Sequence, residues 1–256
     1  MKDNYVYGGV TLKQPCGVLA SIKNWLPVVA LLALLGGCGE PHQPPLRLGT
    51  RGNWLGYEPF YLARDQGFFG SAPVQIVDYA SATQVQNAFR NGAIEAATLT
   101  LDEVLHLAAQ GFNPHVILVL DISQGADVLL ADAAIGTIQD LKGKRVGVET
   151  TALGAFMFSR AIAVSGLSRE DVTVVSLPAD EHERAFREDR VDALVTYEPM
   201  RTRLLKNGAR ILFDSSMIPG EIIDVLLVRN DVLDTRLKDV VTLVRGCGPE
   251  PEAPTA

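Results

Sequence analysis

The sequence contains few cysteine and histidine residues, and this scarcity limits the chemistry open to it. Its three cysteines are Cys16, Cys38 and Cys247, so residues 39–246 hold neither a disulfide nor a thiolate cluster for zinc. No two histidines have the spacing of a metal-binding pair. We therefore expect no metal and no cofactor, and stability that comes from a hydrophobic core. Three of the histidines are expected at the protein surface: His106, His115 and His182.

The N-terminal hydrophobic run is too short to cross a membrane. Trp25 to Leu35 is uncharged and about 11 residues long, which suits the core of a signal peptide. It leads into Leu35-Gly36-Gly37-Cys38, which resembles the bacterial lipobox. This resemblance implies a signal peptide over residues 1–37, a diacylglycerol on Cys38 and a lipidated tether over 38–45. The alternatives are an ordinary signal peptide or a buried segment with an incidental cysteine.

Acidic residues outnumber basic residues, and common catalytic motifs are missing. Removal of residues 1–37 takes away three lysines and one aspartate, leaving 20 basic and 29 acidic residues and a net charge of −9. Such a charge argues against a nucleic-acid partner. The sequence has no Gly-x-Ser-x-Gly elbow and no phosphate-binding loop, so an enzyme built on either motif is excluded.

Short β-branched runs alternate with helical patterns from residue 46 onward, which is typical of α/β architecture. Capping-box patterns, Thr83 with Gln86 and Thr100 with Glu103, predict the starts of two of the helices. Ten strands are predicted: Leu46–Thr50, Val74–Tyr79, Ala96–Leu99, Val116–Ile122, Ala126–Ala131, Arg145–Glu149, Val172–Leu177, Asp192–Thr196, Arg210–Phe213 and Ile222–Val228.

The strand pattern breaks once and restarts, which indicates two lobes. We expect lobe 1 to comprise residues 46–122 and 223–245, and lobe 2 to comprise residues 123–222. Two crossings, near Ser123 and Gly220, would then form a hinge. Ligands of open α/β sheets bind beyond the carboxyl ends of the strands, so the loops at this edge are expected to line a cleft.

Three segments together resemble a known family. Gly56 to Phe69, Asp140 to Val148 and Val191 to Pro199 are similar, in order and spacing, to the type II periplasmic substrate-binding proteins of ABC importers, in the group for nitrate, sulfonates and thiamin-pyrimidine precursors. The resemblance covers about residues 46–245. It implies a two-lobed fold with a mostly parallel sheet flanked by helices in each lobe. It also implies capture of a small molecule by lobe closure and delivery to an ABC permease.

Aromatic residues in the predicted cleft loops are candidate ligand contacts. Tyr57 and Tyr197 each stand in a Tyr-Glu-Pro sequence before a helix, one in each lobe, although a shared helix-start chemistry explains the same repetition. Trp54, on the loop after the first strand, is placed to stack a planar ligand, and packing within the loop is the alternative.

Acidic residues dominate the other candidates. Asp127, Glu198 and Asp224 lie in or beside the predicted cleft, where Arg51 is the one nearby base. This excess of carboxylates favours a planar ligand that is neutral or cationic. The alternative is that the aspartates cap strands or pair with lysines. The loop residues Ser123 and Thr151 complete the candidate set.

Two other functions on the same fold are a pyrimidine-synthase-like enzyme, which the lack of a cysteine-rich motif disfavours, and a ligand-sensing domain.

Near the C-terminus, a helix from Val232 is followed by residues 246–256, whose three prolines and lack of periodicity predict a disordered tail. Relatives usually continue with further helices, so we expect a C-terminally truncated version of the fold.

Overall fold

The computed structural model describes residues 43–52 and 54–248. The predicted signal peptide, the predicted lipidation site Cys38 and residues 249–256 of the predicted tail lie outside this range. Within it, every α-helix is too short or too polar to cross a bilayer. The predicted α/β fold is confirmed, and all ten predicted strands are present with bounds within two residues of those expected.

Five strands form the first sheet. They are β1 (Leu46–Arg51), β2 (Val74–Tyr79), β3 (Ala96–Thr100), β4 (Pro114–Ile122) and β10 (Ile223–Arg229). Their order is β2-β1-β3-β10-β4, in which β1 pairs parallel with β2 and β3, whereas β10 is antiparallel to both of its neighbours. Four strands therefore share one direction and only β10 is reversed.

The second sheet repeats this topology. It contains β5 (Asp127–Ala131), β6 (Arg145–Val148), β7 (Thr173–Ser176), β8 (Ala193–Tyr197) and β9 (Arg210–Asp214). The order is β7-β6-β8-β5-β9, with β6 parallel to β7 and β8, and with β5 antiparallel to β8 and β9. The reversed strand is again the fourth, so each sheet is mixed, with four of its five strands in a common direction.

Helices connect the strands and cover the sheets. The described α-helices are α1 (Glu58–Asp65), α2 (Ala82–Arg90), α3 (Leu101–Ala109), α4 (Leu153–Ser165), α5 (His182–Arg187), α6 (Met200–Lys206) and α7 (Asn230–Cys247). Short 3-10 helices lie at Leu55–Tyr57, Ile138–Leu141, Arg169–Asp171, Ala179–Glu181 and Ser215–Met217.

One of the two predicted capping boxes is present. Glu103 accepts the Thr100 backbone N–H at 3.0 Å, at the start of α3. The box predicted for Thr83 and Gln86 is wrong, because α2 begins earlier and Ser81 is its N-cap residue. The Thr83 hydroxyl is thereby free to contact another part of the molecule, described below.

Apolar side chains cover both faces of both sheets. Phe60 and Leu99 are buried on opposite sides of the first sheet, and Phe213 and Leu194 belong to separate clusters of the second. One cluster crosses between the sheets, since Trp54 and Tyr57 pack in the same group as Tyr197. Each of these large side chains contributes about 1.5–3 kcal/mol of burial free energy.

We call the part of the chain that carries the first sheet lobe 1 and the part that carries the second sheet lobe 2. The chain passes between the two sheets twice, over residues 123–126 and 218–222. The two crossings are bonded to each other, because the Ser123 N–H donates to the Ile222 carbonyl at 3.0 Å. Gly125 and Gly220 have positive φ angles of 84° and 76°, which favour glycine in these turns.

The last helix extends further than predicted. A disordered tail was expected from residue 246, but α7 continues to Cys247. The physical reason is close packing: Gly246 lies against the Phe69 ring, and a Cβ there would stand 2.7 Å from the ring's Cδ1. The helix is interrupted at Arg236, whose φ and ψ of −134° and 30° are not helical.

Candidate binding cleft

The topology brings charged and aromatic residues from both sheets to facing edges. Arg51 ends β1 and Tyr197 ends β8, at the carboxyl ends of strands that run in the common direction. Asp127 and Asp224 lie at the start of the reversed strands β5 and β10, where Asp127 is opposite Tyr197 and Asp224 is opposite Thr100. A reversed strand begins where its neighbours end, so all four residues reach the same cleft.

The Arg51 guanidinium lies among three aromatic rings. It is 4.7 Å from the ring centroid of Tyr197, 5.8 Å from that of Tyr57 and 5.9 Å from that of Trp54. The Trp54 and Tyr197 rings are themselves edge to face at 5.8 Å, one from each lobe. These contacts are cation–π and aromatic interactions that become stronger as water is excluded.

Arg51 remains charged despite being 4% exposed. Burial by itself lowers the pKa of the guanidinium, but Tyr197, Tyr57 and the nearby carboxylates outweigh burial and raise the pKa well above its ordinary value. The two carboxylates concerned are Glu103 and Asp224. Groups of the protein around Arg51 therefore favour its charged form.

Four carboxylates at most 5% exposed surround this single cation: Glu103, Asp127, Glu149 and Asp224. Burial raises the pKa of Asp127 to about 6, against the hydrogen bond that Ser123 donates to it at 2.6 Å. Burial likewise raises the pKa of Glu149, against the Thr83 hydroxyl that donates to it at 2.7 Å. Acidic groups therefore outnumber basic groups here, and their ionised forms are costly to bury.

Tyr57 and Asp224 form a buried pair in lobe 1, in which the phenol donates to the carboxylate. Burial raises the pKa of Asp224 well above its ordinary value, and Arg51 offsets only part of this effect. The pKa of Tyr57 is raised as well, first by burial and then by the neighbouring Asp224. The pair holds the tyrosine ring against Arg51.

His182, at the start of α5, also faces the cleft. It is 2% exposed, which contradicts the expectation that it lies at the surface. Its Nδ1 is 3.3 Å from the Thr196 hydroxyl, whereas its buried Nε2 has no hydrogen-bond partner in the described part of the chain. Burial lowers the pKa of this imidazole to about 4, so it is neutral at physiological pH.

These polar groups enclose a very small chamber. Its volume is about 10 Å³, close to the space of one water molecule. The chamber is lined from lobe 1 by Arg51 and Glu103, and from lobe 2 by residues that include Asp127, Glu149, His182 and Tyr197. It shares Glu103 and Ala152 with a second pocket of about 220 Å³, which we call the seam pocket and which Gln86, Thr151 and Phe156 also line.

Direct hydrogen bonds between the lobes close the cleft beside this chamber. Thr83 of α2 donates to Glu149, which follows β6. The Gln86 amide donates to the Thr151 carbonyl at 3.2 Å, and the Leu153 N–H donates to Glu103 at 3.0 Å. The lobes therefore stand in contact, and entry of a molecule into the chamber requires them to separate.

Six of the eight candidate residues are brought together: Trp54, Tyr57, Ser123, Asp127, Tyr197 and Asp224. Thr151 lies at the lobe contact, with its hydroxyl 2.7 Å from that of Thr83. Glu198 does not line the chamber. Its carboxylate accepts from Arg201 at 2.9 Å and from the Thr202 N–H at 3.1 Å, so residues at the start of α6 supply its hydrogen-bond donors.

The sequence also contained signals for the residues that the candidate set omitted. Arg51 and Glu149 lie at the carboxyl ends of predicted strands, which is the rule that selected the other loops. Glu103 was recognised as a capping residue, and its second oxygen reaches lobe 2. His182 had no such signal, because only tertiary packing buries it.

No cluster of three or more His, Cys, Asp or Glu side chains able to hold a metal is present among the described residues.

Known proteins share this sequence pattern and architecture. A sequence profile of the NMT1-like family matches residues 39–247. A Bacillus subtilis protein named for binding aliphatic sulfonates is 25% identical over 206 residues, and the alignment covers 74% of this chain and 61% of that protein. The chain thus spans less than two thirds of the length of this relative.

Solved structures of low sequence identity have the same fold. The alkanesulfonate-binding protein SsuA of Xanthomonas axonopodis pv. citri, bound to MOPS, superposes with a TM-score of 0.67 at 22% identity, covering 80% of this chain and 73% of that one. The nitrate-binding protein NrtA of Synechocystis gives a TM-score of 0.67 at 12% identity, with coverages of 80% and 60%.

Proposed function

The chain belongs to the NMT1-like family, and on that premise we propose that it is an extracytoplasmic solute-binding protein. It captures a small organic molecule between its two lobes and delivers it to the permease of an ABC importer. The proposal is supported by the relatives named for binding small solutes and by the geometry of the cleft.

The chamber between the lobes is the observation that carries this proposal. A guanidinium, four carboxylates and an imidazole are buried together where the two lobes meet, next to the crossings of the chain. Desolvating so many ionisable groups costs several kcal/mol per ion, which apolar residues of the same size would avoid. Clusters of buried ionisable groups with shifted pKa values are typical of functional sites.

The predicted ligand remains planar and neutral or cationic. The Tyr197 ring lines the chamber, next to Trp54 and Tyr57 around Arg51, and the buried acidic side chains outnumber the one buried arginine. This charge balance is unfavourable for an unaccompanied anion such as the sulfonate or nitrate for which the relatives are named. A ligand that donates hydrogen bonds relieves the excess of negative charge.

Membrane attachment through Cys38 is part of the same proposal. A diacylglycerol on this cysteine would hold the binding lobes at the outer face of the membrane, close to the permease. We expect Cys38→Ala to release the protein into the soluble export compartment, as measured by membrane fractionation. Unchanged membrane association of this variant would contradict lipidation at Cys38.

Tryptophan fluorescence provides a direct test of binding. The chain has two tryptophans, and Trp25 lies in the predicted signal peptide, so the mature protein that starts at Cys38 reports from Trp54 in the cleft. We expect its fluorescence to change when an extract that contains the ligand is added, and native mass spectrometry to detect a co-purified small molecule. Absence of both signals across extracts of the growth medium would contradict the proposed function.

A further inference from the structure

The chamber is dominated by hydrogen-bond acceptors on the lobe 2 side. Asp127 and Glu149 each receive one hydroxyl hydrogen, from Ser123 and Thr83, and a carboxylate has acceptor capacity for several more. These two groups approach from different strands, β5 and the end of β6, and both line the chamber.

His182 adds an acceptor that is independent of the carboxylates. Its Nδ1 lies beside the Thr196 hydroxyl, and its buried Nε2 is unpartnered within the described residues although it lines the chamber. A buried polar atom without a partner is unfavourable, and a bound group that supplies a donor recovers this cost. Because burial keeps the ring neutral, Nε2 can offer a lone pair to a donor when Nδ1 carries the proton.

The Arg51 guanidinium lines the same chamber from lobe 1, beside Glu103. Glu103 and Asp224 both raise the pKa of Arg51, so its positive charge already lies among acidic groups. An oxyanion in the chamber would face this one cation against Asp127, Glu149 and the lone pair of His182 Nε2. A positively charged N–H group would find three acceptors in these same side chains.

The sizes of the chamber and of the seam pocket add a steric condition. The chamber, at about 10 Å³, has room for a group the size of water, and the seam pocket of about 220 Å³ shares Glu103 and Ala152 with it, so a ligand that occupies both must enter while the lobes are apart. A primary ammonium fits the former, whereas a trimethylammonium is too large and has no N–H to donate.

From these observations, and resting on the proposed solute-binding function, we propose that the ligand is a primary amine or amidine. Its protonated head lies in the chamber between Asp127, Glu149 and His182 Nε2, and its body lies in the seam pocket. His182 is then a specificity-determining residue that selects a donor and rejects an oxyanion.

Matched probes with a common body test the head group. Benzylamine, benzyltrimethylammonium and phenylmethanesulfonate, together with the corresponding hexyl series, are titrated into the mature protein and followed by Trp54 fluorescence and calorimetry. We expect the primary amine of at least one series to bind at least tenfold more tightly than its trimethylammonium and sulfonate counterparts. Failure of both amines to bind, or tighter binding of either sulfonate, would overturn the proposal.

Variants of His182 test its role separately from folding. His182→Phe removes the acceptor and should weaken amine binding at least tenfold, whereas His182→Gln retains an acceptor oxygen and should restore most of it. His115→Gln, on β4 of lobe 1, is the control and should bind as the parent does. Equal amine affinity in the Phe and Gln variants would contradict the assigned role of His182.

The outcomes also separate this inference from the function on which it rests. Tight binding of a sulfonate, with a Trp54 response, would preserve a solute-binding protein and refute the amine. If no probe binds and no co-purified molecule is found, both proposals fail.

Discussion

Replacement of Asp127 by asparagine should stabilise the protein at neutral pH. Burial raises the pKa of this carboxyl from its ordinary 3.8 to about 6, so at pH 8 the folded protein holds a charge that it disfavours. A difference of about two pKa units corresponds to ~3 kcal/mol, which is the upper limit of the gain. Asparagine has nearly the same shape and still accepts the Ser123 hydroxyl.

The pH dependence fixes the sign of this effect. A carboxyl with a raised folded-state pKa binds its proton more tightly when folded, so its contribution to stability is present below about pH 4 and is lost as the pH rises through about 6. Asparagine does not titrate. The advantage of Asp127→Asn should therefore be largest at pH 8 and nearly absent at pH 4.

Urea denaturation at pH 4, 6 and 8 measures the free energy of unfolding for both proteins. Asp192→Asn is the control, because Arg145 lowers the pKa of Asp192 and its loss should reduce stability instead. A variant of Asp127 that is less stable than the parent at pH 8, or an advantage that does not change with pH, would refute the reasoning. If the ligand is the proposed amine, the Asp127→Asn variant should also bind it more weakly, because residues of a binding site commonly favour function over the stability of the fold.

Three further substitutions, with Phe68→Ala as a control, test the packing around the cleft. Tyr57→Phe removes the hydroxyl that donates to Asp224 and leaves a buried carboxylate short of a donor, so we expect a loss of about 1–3 kcal/mol in the free energy of unfolding. Phe60→Ala should cost about 3–5 kcal/mol because the ring is fully buried, whereas Phe68→Ala, at a ring 60% exposed, should change thermal stability little. Gly56→Ala places a Cβ 1.8 Å from a neighbouring carboxylate oxygen and should shift the Trp54 fluorescence spectrum; an unchanged spectrum would show that the loop adapts without moving the indole.

Local patterns were sufficient to predict the strands and much of the cleft edge. The ten strands are runs of β-branched and apolar residues between turn signals, and the rule that ligands bind at the carboxyl ends of strands located Trp54, Tyr57 and Tyr197. Asp127 and Asp224 were found because the chain crosses between the lobes beside them. These features depend on residues close in sequence, which is why the sequence alone determined them.

Contacts between distant segments decided the rest. Thr83 belongs to a predicted capping box by sequence, yet its hydroxyl is bonded to Glu149, 66 residues away in the other lobe. His182 looks like an exposed helix residue, but packing in the folded protein buries it and lowers its pKa. Burial, charge compensation and the volume of the chamber are properties of the assembled lobes. The sequence therefore determined which residues stand at the edge of each sheet, and only the tertiary structure decided which of them are desolvated together, because desolvation depends on every group that excludes water from the site.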